Sequence, residues 1–179
     1  MRAALLLAGL TCFCVILLAA PARLPADEYQ VKAAYLINFA RFVEWPPTAI
    51  SRGPITIGVV GSDPFGNALD RVVADRTAKG RPVSIRRFRS VHDLESCHIL
   101  FISASEASRL QPILERVRRT PVLTVSDSAG FLKKGGGIAF LTADQRVTFE
   151  VNLKAIAEAD LTVSAQLLQV ARAVEGGQK

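Results

Sequence analysis

Histidine, cysteine and tryptophan are scarce in this chain, and each scarcity closes off a class of chemistry. Only two histidines, His92 and His98, occur in 179 residues, too few and too badly spaced for a histidine metal site. Of the three cysteines, Cys12 and Cys14 fall in an apolar N-terminal run and only Cys97 lies beyond it. A single cysteine forms no internal disulfide. Phosphate-binding signatures are missing as well. Gly58, Gly61 and Gly66 do not have the G-x-G-x-x-G spacing, and no Walker lysine follows them. No serine sits in a G-x-S-x-G elbow. Cys97 and His98 are adjacent, and adjacent residues on a strand point to opposite faces, which rules against a zinc pair or a nucleophile with its base.

What is present begins with a leader. Residues 1–22 hold a basic Arg2, an apolar run and an Ala20-Pro21-Ala22 ending. Small residues at the end of such a run mark a secretory signal peptide. Cleavage is expected after Ala22, with Ala20 and Ala26 as alternatives. The run is about long enough to span a bilayer as an uncleaved anchor, but its small-residue end favours cleavage. No second apolar run of membrane length follows. Loss of the leader removes Arg2 and no acid, so the net charge falls from +6 to +5. An exported protein rarely meets nucleic acid, and a solvated basic surface is the plainer reading of that charge.

The rest, 23–179, reads as one domain in which helices and strands alternate. Residues 26–44 carry Tyr29, Ala33, Leu36, Ile37, Ala40 and Val43 near a 3.6 period, which predicts a helix. Trp45-Pro46-Pro47 ends it. Strands are expected at 55–60, 81–88, 98–102 and 121–125, with helices after each of the first three. Ser62 or Asp63 is expected to cap the first of those helices, with Pro64 inside it. Gly135 to Gly137 precede two consecutive strands, the second alternating Val147, Phe149 and Val151 with polar residues. Asn152 is placed to cap a helix, a break follows at Asp160–Leu161, and Thr162 or Ser164 is placed to cap a last helix with Val163, Leu167, Val170, Ala171 and Val174 on its face. This order predicts a three-layer α/β sandwich. Its sheet would have five to six mostly parallel strands with an antiparallel edge, and helices on both faces.

Few groups offer binding chemistry. Ser62, Asp63, Phe65 and Asp127 fall at strand ends, where open α/β sheets form crevices. They are the candidate lining of a small-molecule site. Arg86, Arg87 and Arg89 crowd one strand and its exit. They read either as a docking surface for an acidic partner or as charge that guards an edge strand against aggregation. Trp45 sits at a helix exit beside two prolines and is a candidate partner contact. Cys97 precedes an apolar run, so a buried thiol is expected; the alternative is a bond to a second chain. No catalytic set, metal site or cofactor is expected.

Three segments carry a resemblance. VKAAYLINFARFVEWP, IGVVGSDPFGNAL and GGGIAFLTADQRVTFEVNLKAIAEADLTVSAQLLQVAR occur in this order over nearly all of the chain beyond the leader. Together they resemble the YfiR family of periplasmic proteins. The resemblance implies an exported, compact α/β protein that forms homodimers and acts by binding rather than catalysis. Its implied partner is the periplasmic domain of an inner-membrane signalling protein, a diguanylate cyclase in the best-known case. The implied effect is repression, and so lower cyclic-di-GMP signalling and biofilm formation. A periplasmic small-molecule sensor for another membrane receptor is the alternative. The chain departs from the family in two ways. Cys97 has no partner for the redox-responsive disulfides of the well-known repressors, and Asp160 stands where a glycine is common.

Overall fold

The computed structural model describes residues 25–50 and 53–176, with side chains from residue 28 onward. The expected signal peptide, 1–22, lies outside the described residues. The first helix, α1 (Pro25–Phe42), buries Ala33, Leu36, Ile37, Phe39 and Ala40, the face read from the apolar period. It stops two residues before Glu44 because Val43–Glu44 turn extended as β1 and pair antiparallel with β9 (Thr162–Val163). Val43, Thr162 and Val163 are β-branched and suit that pairing.

Next come β2 (Ile55–Val60), α2 (Asn67–Val73), β3 (Thr77–Ala78), β4 (Arg81–Phe88) and β5 (Ile99–Ile102). The helix α2 starts later than the sequence suggests. Gly66 precedes it at φ 50 with no side-chain cap, while Asp63 accepts the Phe65 N–H instead, at 2.8 Å. Ser103 caps a 3-10 turn (Ala104–Arg109) that runs into α3 (Leu110–Val117). Then follow β6 (Leu123–Ser126), a 3-10 turn at Leu132–Lys134, β7 (Ile138–Ala143) and β8 (Arg146–Asn152). Asp144 and Gln145 link the last two with φ 49 and 60, the left-handed pair that a two-residue hairpin turn requires. Asn152 does cap α4 (Leu153–Glu158), accepting the Ala155 N–H at 3.1 Å, and Ser164 caps α5 (Ala165–Gln169).

With β10 at Ala173–Glu175, the main sheet has eight strands rather than the expected five to six, in the order β10-β8-β7-β6-β5-β2-β4-β3. β4, β2, β5, β6 and β7 run parallel, and β8 is antiparallel to β7. The extra strands sit at the two edges. β3 pairs antiparallel with β4, and β10 (Ala173–Glu175) pairs parallel with β8. The second of these replaces the end of the expected last helix. That helix stops at Gln169, and Val170 and Val174 are exposed instead of lying on its inner face. Without β10 the β8 edge would present unpaired amides and carbonyls, and pairing with it satisfies both strands.

Alternate residues of the central strands enter two separate apolar clusters. Ile57, Val59, Ile99 and Phe101 pack with α1, α2 and α5 residues. Val60, Leu100 and Ile102 pack with α3 and with Phe131 and Leu132. Gly58 is glycine because a Cβ there would lie 2.8 Å from the Phe88 ring and 3.2 Å from the Cys97 sulfur.

Candidate functional site

The chain leaves β2 for its neighbour β4 and then returns to the other side as β5, so the sheet's switch point lies at the carboxyl end of β2. Crevices form at such points. Ser62, Asp63, Phe65 and Asp127 all lie at this end, as expected. The chain's own first helix packs over this end, leaving beside Tyr29, Gln30 and Phe65 an open cleft of about 480 Å³. Phe65 is 4% exposed and stands edge-on to Tyr29 of α1 and to Phe101, with ring centroids 5.4 and 4.7 Å apart. The Ser62 N–H donates to Ser105 Oγ at 2.9 Å.

At the centre of this packing is Lys32. Its side chain is 2% exposed, and Nζ lies 2.7 Å from Asp127 Oδ2 and 2.6 Å from Glu28 Oε1. The ammonium also sits 4.4 Å from the centre of the Tyr29 ring, within cation–π range. Tyr29 Oη donates to the same Asp127 oxygen at 2.9 Å. Burial first, and then Asp127, hold the Tyr29 phenol well above its ordinary pKa, so it remains a donor. The other carboxylate oxygen, Asp127 Oδ1, is buried without a hydrogen-bond partner. This arrangement is a clasp between α1 and the end of β6. One ammonium faces two carboxylates, so the clasp keeps an excess of negative charge, and Asp127 Oδ1 is the unsatisfied atom in it.

Glu28, Tyr29 and Lys32 were missed from sequence. The available signal was a lysine inside the apolar stripe, three residues after Tyr29 and four before Leu36, and four after an acid. Its carboxylate partner 95 residues away carries no local mark.

The arginines divide. Arg87 is held by Asp63 and Asp70, each at 2.6 Å. Asp70, through its hydrogen bond, is the largest cause of the raised pKa of that guanidinium, and the bond lowers the pKa of Asp70 in turn. Arg86 pairs with Glu95 on the opposite face. Arg89 is exposed beyond the strand end. Arg87 is therefore committed to fastening β4 to α2 and the β2 exit. Past the short β3, the outer side of β4 is an edge, where charge discourages strand addition.

Trp45 is not a surface contact. It is 5% exposed, and Nε1 donates to the His98 carbonyl at 3.2 Å. The short β1 pairing turns the residue inward, where its ring meets the His98 ring edge-on. His98 Nδ1 accepts the Thr56 N–H at 3.0 Å, which leaves Nε2 to donate to the Ala49 carbonyl at 3.2 Å. Burial lowers the His98 pKa. Cys97 is 6% exposed, and burial pushes its thiol up to about 12. A thiol so placed has little thiolate and no access to a second chain, so the native fold does not present Cys97 for an intermolecular bond. The apolar face of α1 is covered by the chain's own sheet; among its described side chains Val31, at 44%, is the large apolar residue left exposed.

Among the described residues, no group of three or more His, Cys, Asp or Glu is placed to hold a metal, and no helix is long and apolar enough to cross a membrane. The fold and site together define an α/β domain whose first helix is clasped over the carboxyl ends of the strands through Lys32 and Asp127. Residues 29–172 match the YfiR/HmsC-like family, and the chain belongs to that family. The fold is also similar to a crystal structure of a conserved domain protein from Vibrio cholerae O1 biovar El Tor. The TM-score is 0.56 at 9% identity, over 80% of this chain and 60% of that one. That likeness concerns the fold alone, and this chain spans 60% of the length of that protein.

Proposed function

We propose that the protein is a periplasmic regulator that docks on the exported domain of an inner-membrane signalling protein, a diguanylate cyclase in the leading case, and holds it inactive. The observation that carries this reading is the YfiR/HmsC-like match over 29–172. The packing of α1 over the strand ends is in keeping with it, since surface complementarity is then the means of action. A docked regulator represses only if it binds the inactive conformation more tightly than the active one. A tenfold difference in those affinities corresponds to about 1.4 kcal/mol. Of the arginines, Arg89 is exposed with no ion-pair partner among the described residues, whereas Arg86 is paired with Glu95 and Arg87 with Asp63 and Asp70.

The test is affinity capture of the tagged protein from solubilised membranes of cells that express it. Recovery of a membrane protein with an exported sensor domain and a cytoplasmic cyclase domain, and a rise in cyclic-di-GMP when the gene is deleted, are the expected results. An unchanged cyclic-di-GMP level together with capture of no signalling receptor would remove the proposal. A homodimer belongs to the same proposal, and light scattering of the mature protein at micromolar concentration reads it directly.

A further inference from the structure

A concentration of cations lies at the other end of the sheet from the Lys32 clasp. The second half of α3, the Leu132–Lys134 turn and α4 enclose a cleft of about 380 Å³. Its floor includes Leu114, Val122, Leu132 and Ala155. Five cations line it, Arg118, Arg119, Lys133, Lys134 and Lys154, against two carboxylates, Glu115 and Glu158. Both carboxylates are taken by Arg118, at 3.2 and 3.8 Å. Among the described residues, Arg119, Lys133, Lys134 and Lys154 have no ion-pair partner.

These four cations come from three separate elements. Arg119 follows α3 in a left-handed conformation, φ 57. Lys133 and Lys134 are on the 3-10 turn, and Lys154 is in the first turn of α4. Cations from separate elements that converge on one cavity repel one another, and a bound anion relieves that repulsion. A purely solvated basic surface needs neither concavity nor an apolar floor. The volume falls in the range of small-ligand sites, about 300–1,000 Å³, and is too confined for a folded partner.

We propose that this cleft binds a small amphipathic organic anion, with its apolar body on Leu132 and Ala155 and its carboxylate, sulfonate or phosphate among Arg119, Lys133, Lys134 and Lys154. None of the residues considered from sequence as a ligand crevice takes part. The site stands whether or not the protein regulates a cyclase, because it is tested on the purified chain alone.

The probe is anilinonaphthalene sulfonate, which has an apolar body and one anionic group, followed by its fluorescence on the folded protein and displaced with phenyl phosphate. Saturable binding at one site per chain, with displacement, is expected. Lys133→Glu with Lys154→Glu should weaken binding at least tenfold. Arg41→Glu with Arg146→Glu makes the same change in net charge outside the cleft and should leave it within twofold. Ala155→Phe fills the floor without touching charge and should also abolish saturable binding; circular dichroism and a thermal melt confirm that each variant is folded. Three results would each overturn the proposal: no saturable binding to the wild-type chain, equal weakening by the two charge-reversal pairs, or full binding to the Ala155→Phe variant.

Discussion

Replacing Lys32 by methionine tests the central clasp most directly. The side chain keeps its length and apolar stem but loses its charge. In the native protein the ammonium is 2% exposed and lies between Asp127, itself 12% exposed, and Glu28, 33% exposed. At 2.7 Å and an effective dielectric of about 20, the gross attraction to Asp127 alone is about 6 kcal/mol. Desolvation offsets most of that, so the net worth of the pair is small. Removing one partner is a different matter. Asp127 would keep a buried charge with only the Tyr29 hydroxyl beside it and with Oδ1 already unpartnered. Breaking a buried pair in this way costs about 3–5 kcal/mol.

Asp127→Asn should cost less, about 2 kcal/mol, because Lys32 retains Glu28. The double variant should recover part of the loss and lie at least 2 kcal/mol above the sum of the single changes, since the two side chains are in direct contact. Urea unfolding followed by the fluorescence of Trp45, the one tryptophan and a buried one, reads all three. A Lys32→Met loss below about 1 kcal/mol, or strict additivity in the double variant, would refute a buried, coupled clasp.

Three further outcomes follow from single sites. The lowered pKa of His98 means that the unfolded chain takes up the proton first. Stability from this group is thus complete above about pH 6.5 and falls as the pH drops through the lower folded value. In His98→Gln the loss of stability between pH 7 and pH 5 should be shallower, by no more than the one-proton limit of about 1.4 kcal/mol per pH unit; an identical slope in both proteins counts against the assignment. Asp160 holds the left-handed position that ends α4, with φ 56, and Leu161 N–H donates to the Ile156 carbonyl at 3.1 Å. That is the glycine position of a Schellman turn, so Asp160→Gly should raise stability by about 0.5–1 kcal/mol after the entropy of the unfolded glycine is deducted. A lower melting temperature would contradict this. Cys97 should resist a thiol reagent at pH 8 in the native protein and react once it is unfolded in urea, and rapid native modification would show that the pocket around Gly58 opens.

Much of the architecture could be read locally. The α1 face, the strands at 55–60 and 81–88, the Asn152 and Ser164 caps and the parallel-then-antiparallel order follow from period, capping chemistry and turn residues. The left-handed conformation of Asp160 gives a physical reason for the glycine common there in the resembling proteins. Other features depended on partners distant along the chain. Trp45 looks like an exposed helix exit until Val43–Glu44 pair with Thr162–Val163 and turn it inward. Val170 and Val174 fit a helix face, but the open edge of β8 draws the last residues into a strand.

What the sequence determined by itself is which side of most elements is apolar and which residues cap α4 and α5, because those depend on neighbours within a few residues; where α1 and the last helix stop was set by strand pairing with distant segments. Tertiary structure alone decided which charges are cancelled and which are left free. Lys32 and Asp127 meet across 95 residues, while Arg119, Lys133, Lys134 and Lys154 converge on one cleft whose two carboxylates, Glu115 and Glu158, are taken by Arg118. Charge acts through space, and its worth depends on burial and distance that only the folded chain creates.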